Sequence, residues 1–216
     1  MNDQVRRKDL RLVAIIGFLV GWLVLLPAES FGLAVTPVMV AISVIGFALF
    51  AIAALELLRF LDRFWPHFFE IGKFAAVGTL NSFIDLSLMN LLIILTGATA
   101  GPWFAVIKWS SFVVGCVNSY FWNKFWTFES RTPVTLKEGW RFTVFTALGA
   151  VLNAVVAYVA VAYFPPPAPL SLHAWDNVAA VIAIFVNMIW NFLTYKRFVF
   201  PRSAGPLSAR DLQPYE

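Results

Sequence analysis

Two residues of opposite charge stand inside apolar runs, where charge is costly: Asp85 near the middle of Phe74–Leu95 and Lys108 near the start of Phe104–Trp126. An ionisable group within a membrane-spanning segment needs a partner or a wet path, which makes each a candidate for function. If the two runs are antiparallel neighbours, Asp85 lies level with about residue 115, and Lys108 lies roughly 10 Å further out at ~1.5 Å per residue. A lysine side chain covers part of that gap. Lys108 then either pairs with Asp85, directly or through water, and receives a lipid phosphate, or it snorkels to the near surface. Asp85 is either part of that mechanism or a structural charge satisfied between helices.

Carboxamides form a second set. Asn81, Asn118, Asn153 and Asn187 fall at similar depths in four successive runs, and Asn123 and Asn191 add to this polar layer. An amide both donates and accepts, so it suits sugar hydroxyls. It serves equally well as glue between helices. Lys73, Lys124, Arg141, Lys196 and Arg197 form a third set, a basic collar at the run ends. Arg offers phosphate a fork and Lys a point charge, although topology alone also puts basic residues there.

Other chemistry has no foothold. There is no phosphate-cradling loop, nucleotide fingerprint or Ser/His/Asp order. The longest connection on the basic side, Glu129–Trp140, is too short for a catalytic domain. Neither an enzyme nor a cofactor is expected. His67 and His173 are far apart, which argues against a histidine metal site, and the single Cys116 precludes an intrachain disulfide.

The elements that must carry these residues are six apolar runs: Leu10–Ala28, Leu33–Leu58, Phe74–Leu95, Phe104–Trp126, Phe142–Tyr163 and Val178–Tyr195. Each approaches the ~20 residues that cross a bilayer, and 60% of the chain is hydrophobic against 13% charged. The pattern predicts an all-α polytopic membrane protein. Of 16 Lys and Arg, every one except Lys108 lies on one side of that plan. The positive-inside rule then makes both termini cytoplasmic. The net charge of +4 reflects topology and attraction to anionic membrane lipids, not nucleic acid.

Shifted by 72 residues, the chain weakly matches itself: Asn81 falls on Asn153, and Ser119–Phe128 on Asn191–Phe200. Two-helix repeats keep one orientation, so the expectation is a parallel repeat with a binding cleft between halves. Gly78 and Gly149 are expected to allow close helix approach. Between the first two runs and the rest, Glu56–Glu70 is amphipathic at helical spacing. It reads either as an interfacial helix ended by Pro66 or as an extension of the second span. Trp65, Trp103, Trp126, Trp140 and Trp175 read as interfacial anchors.

Lys73-Phe-Ala-Ala-Val77-Gly78-Thr-Leu-Asn81-Ser-Phe-Ile-Asp85 resembles the opening motif of the GtrA family. Asn123-Lys-Phe-Trp-Thr-Phe128 and Asn191-Phe-Leu-Thr-Tyr-Lys-Arg-Phe-Val-Phe200 resemble its two helix-ending motifs. The resemblance spans about residues 68–200 and implies a four-helix module, as also found in the membrane part of dolichol-phosphate-mannose synthases. Ser119 and Tyr195 depart from it, standing where asparagine is common. The resulting plan is an N-terminal hairpin over 1–58, an interfacial linker over 59–72, the module over 73–200 and a cytoplasmic tail over 201–216. Because the resemblance leaves out the hairpin, a chain starting near Leu57 is expected to fold alone. The implied function is flipping of a polyprenyl-phosphate-linked sugar across the bacterial inner membrane for surface polysaccharide synthesis. The alternative is a non-transporting subunit that recruits a glycosyltransferase; a four-helix exporter is disfavoured because a Lys accompanies the single acid. A homo-oligomer stays open.

Overall fold

The computed structural model describes residues 3–30, 32–167 and 171–201, without the side chain of His173. Arg202, Arg210 and the tail beyond Pro201 therefore lie outside the described residues. The chain forms α1 (Asp3–Leu23), α2 (Leu25–Ser30), α3 (Pro37–Leu61), α4 (Phe68–Thr96), α5 (Gly101–Trp122), α6 (Leu136–Tyr163) and α7 (Leu172–Thr194). A π-helical turn follows α5 at Asn123–Thr127, and another follows α7 at Tyr195–Val199. Among the described residues there is no strand, and six helices are long and apolar enough to span a membrane. Polar connections supply the caps: Thr36, Thr135 and Ser171 each accept a backbone N–H at the start of α3, α6 and α7.

Of the two expectations for Glu56–Glu70, the structure follows the extension of the second span as far as Leu61. Helix α3 continues to Leu61, a turn follows, and α4 begins at Phe68. Asp62 closes the turn by accepting the Phe69 N–H at 3.1 Å, with His67 left-handed at φ 83°. On the polar side Glu56 and Arg59 form ion pairs with Arg6 and Asp9 of α1, while Arg63 is exposed.

Two compact units divide the chain at Thr127/Phe128. The hairpin thus packs with the first repeat, α4–α5, while α6–α7 forms its own unit. In the first unit α1 lies directly on the α3 backbone. A Cβ on Gly17 would sit 2.5 Å from the Phe47 carbonyl oxygen, and one on Gly21 would sit 2.6 Å from that of Ser43. This is the small-xxx-small contact by which spans associate where lipid gives no hydrophobic drive. Val13, Ile16 and Val20 of α1 share a core with Leu55, Val77, Leu80 and Trp126.

In the second unit α7 is pinned to α6 along its length. Trp175 donates to the Ala160 carbonyl at 3.3 Å, Trp190 to that of Phe145 at 3.2 Å, and Tyr195 shares a 2.6 Å hydrogen bond with Thr146. Phe142, Tyr195, Phe128 and Phe200 pack as rings at the end of this pair. The two π-turns begin at Asn123 and Tyr195, the same 72 residues apart as the sequence repeat.

Candidate functional site

Helices α4 and α5 run side by side and bring the two intramembrane charges together. Lys108 Nζ donates to Asp85 Oδ2, and Ser111 Oγ, one turn along α5, donates to Asp85 Oδ1. Both carboxylate oxygens therefore have donors, as an anion in a low-dielectric setting requires. Ser111 is fully buried, whereas the Lys108 side chain is 46% exposed and that of Asp85 26%. The acid is held inside; the base is reachable. Sequence reasoning missed Ser111, although its place one turn from Lys108 on the same helix face was visible.

Asn118 donates to Asn81 at 2.7 Å across the same helix pair, one turn from Asp85 along α4. Close approach there is allowed by Gly115, where a Cβ would lie 3.5 Å from the Asn81 carbonyl oxygen. In the second unit the amides pair along one helix: Asn191 donates to Asn187 at 3.0 Å. Both sit over Gly149, where a Cβ would fall 2.5 Å from Asn187 Oδ1 and 2.6 Å from Asn191 Oδ1. Gly149 behaves as expected; Gly78 does not, since no atom lies within 4 Å of its notional Cβ. Asn153 takes part in neither amide pair.

Asn123 is a correction. It opens the first π-turn, about 7 Å beyond Asn118 at ~1.5 Å per residue. Its amide donates to Ser119 of its own helix, at 2.9 Å to the carbonyl and 3.1 Å to the hydroxyl. It belongs to the basic end and not to the polar layer.

The basic collar is not uniform. Arg141 and Arg197 are exposed and Lys196 is half-buried, over the Phe192 ring at 5.3 Å. Lys124 is completely buried. Lys73 is 4% exposed, and its ammonium lies 2.9 Å from Asp9 Oδ1. Trp126 donates to the same oxygen at 2.9 Å, so this tryptophan is a core residue and not an interfacial anchor. Arg59 Nη2 approaches Asp9 Oδ2 at 3.7 Å while its Nη1 pairs with Glu56 at 2.7 Å. Asp9 and Arg59 were missed because charge at a helix end reads as topology. Asp9 is an acid in an otherwise basic stretch, and that was the available signal.

A chain starting near Leu57 would lose Asp9, which pairs with Lys73 at 2.9 Å.

A chain with six helices long and apolar enough to span a membrane, and an acid–base pair held between two of them, is a polytopic helical membrane protein. The profile of the GtrA/DPMS transmembrane domain matches residues 73–200, more than half of the chain. The chain belongs to that family. The match begins at Lys73 and ends at Phe200, so it covers both repeats and leaves out the hairpin. Neither curated proteins nor solved structures gave a significant match.

Proposed function

We propose that the protein moves a polyprenyl-phosphate-linked sugar across the bacterial inner membrane, for cell-surface polysaccharide synthesis, with both termini cytoplasmic. The observation that carries this reading is the Asp85–Lys108–Ser111 group. A cation away from the basic end is not explained by topology, and here it is half-exposed beside a carboxylate held by a second donor. An arriving phosphate diester brings a full negative charge on two tetrahedrally set oxygens, and it can take over Lys108 while Ser111 retains Asp85. Exchange of that partner would couple phosphate binding to the packing of α4 on α5. The exposed Arg141 and Arg197, with Lys196, suit first capture of the headgroup at the cytoplasmic face. The amides suit passage of sugar hydroxyls.

The test is transport of a fluorescent polyprenyl-phosphate sugar in proteoliposomes. Lys108→Met is expected to abolish transport with the fold intact, and Lys108→Arg to retain part of it. Wild-type transport by Lys108→Met would refute the phosphate role. If the wild-type protein itself moves no lipid, recruitment of a glycosyltransferase becomes the better account.

A further inference from the structure

The cluster around Asp9 presents more hydrogen-bond donors than its carboxylate uses. Three elements aim at it: Lys73 from α4, Arg59 from α3 and Trp126 from the first π-turn. Asp9 Oδ1 takes both the Lys73 ammonium and the Trp126 indole N–H, while Oδ2 is buried without a hydrogen bond. On the donor side, the Nε and Nη2 groups of Arg59 are buried and likewise without a hydrogen bond. Phe69 backs both cations, 4.5 Å from the guanidinium carbon and 4.9 Å from the ammonium. As seated, the carboxylate meets the ammonium and the indole through Oδ1 but leaves Oδ2 3.7 Å from Arg59 Nη2, short of a hydrogen bond. A tetrahedral phosphate monoester, with three terminal oxygens, reaches the ammonium, the indole and the guanidinium fork together. The donors come from the module's opening lysine, its first helix-ending motif and the end of α3. The anion comes from α1.

We propose that Lys73, Arg59 and Trp126 form a phosphate-binding nest, and that Asp9 fills it in the resting protein as a built-in carboxylate surrogate. A phosphate monoester headgroup enters by displacing Asp9, which loosens α1 from α4. Only the choice of a polyprenyl lipid rests on the transport reading; the nest would take any phosphate of suitable access.

The experiment uses the full chain in nanodiscs with undecaprenyl phosphate, phosphatidic acid or inorganic pyrophosphate, read by native mass spectrometry. Asp9→Asn keeps an acceptor for Trp126 and removes the competing charge. It is expected to bind a phosphate probe at least about tenfold more tightly than wild type. The gain should vanish in Asp9→Asn/Lys73→Met. A gain for either lipid but not for pyrophosphate identifies a membrane headgroup as ligand; an equal gain for pyrophosphate identifies a nest open to free phosphate. A gain for phosphatidic acid and none for undecaprenyl phosphate would retain the nest and sink the polyprenyl reading. No gain, or a gain independent of Lys73, overturns the proposal. Should Asp9→Asn fail to fold, wild-type hydrogen exchange decides. Saturating lipid phosphate should raise exchange in the first turns of α1, and unchanged exchange there overturns displacement of Asp9.

Discussion

Residues 72 apart in the two repeats hold corresponding places in a helix pair and carry opposite chemistry. Asp85, Lys108 and Ser111 correspond to Ala157, Ala180 and Ala183. The first repeat thus keeps an acid, a base and a hydroxyl between its helices, where the second has three alanines, one of them fully buried. The small residues are exchanged as well. Gly115 on α5 admits Asn81, whereas its counterpart is Asn187; Val77 on α4 corresponds to Gly149, which admits Asn187. At the basic ends the contrast reverses. Lys124 is sealed and its counterpart Lys196 is half-exposed. A common helix-pair frame therefore tolerates exchanging small and bulky residues between neighbouring helices and losing the charged group, and the two copies divide the work. One holds charge within the span; the other presents charge at its end.

Breaking the sealed end of the first unit should have the largest effect. Asp9→Ala removes the acid that Lys73 and Arg59 share, although Arg59 keeps Glu56, and is expected to cost about 3–5 kcal/mol. Unfolding in mixed detergent micelles should show it, and a loss below about 1 kcal/mol would mean that Lys73 is not truly enclosed. Next comes the glycine exchange. Gly149→Ala pushes a methyl group into both amide oxygens and is expected to cost about 1–3 kcal/mol, as overpacking does. Gly115→Ala meets ordinary contact distances and should cost well under that, so equal losses at the two sites would refute the exchange of roles. Third is Asn118→Leu, which removes the amide pair across α4 and α5. Hydrogen bonds between spans average about 0.6 kcal/mol, and the same assay should find a loss of that order. The smallest effect is expected from Arg6→Ala, whose ion pair with Glu56 is half-exposed on the Arg6 side. Loss should stay within about 0.5 kcal/mol and shrink further in salt.

The six helices were legible because crossing a bilayer demands an apolar length that few other structures need, and the repeat was legible because its helix-ending aromatics recur at fixed spacing. Asp85 and Lys108 stood out for the same reason: lipid makes an intramembrane charge conspicuous. The Asp9 cluster was not legible. Its residues come from α1, α3, α4 and the first π-turn, and each is unremarkable where it stands. Lys73 and Arg59 satisfied a topology rule, and Trp126 sat where anchors sit. Only packing of the hairpin against α4 turns these surface types into interior ones. The amphipathic stretch after Glu56 left two readings open for a related cause. Its periodicity was correct, but Glu56 and Arg59, on the face that looked destined for headgroups, were already committed to Arg6 and Asp9.

The π-turns have a mechanical meaning beyond marking the ends of repeats. In the second of them the Phe200 N–H reaches back five residues to the Tyr195 carbonyl at 2.7 Å. A turn that wide accommodates one residue more than an α-helical turn, and one residue is about 100° of rotation about the axis. The surplus residue works as an angular offset between the span above and the chain below. It lets the spans keep one azimuth for their long interfaces while Phe128 and Phe200, each 1% exposed, face inward. Deleting a single residue from the second turn would swing Phe200 through that angle, out of the ring stack and towards the surroundings.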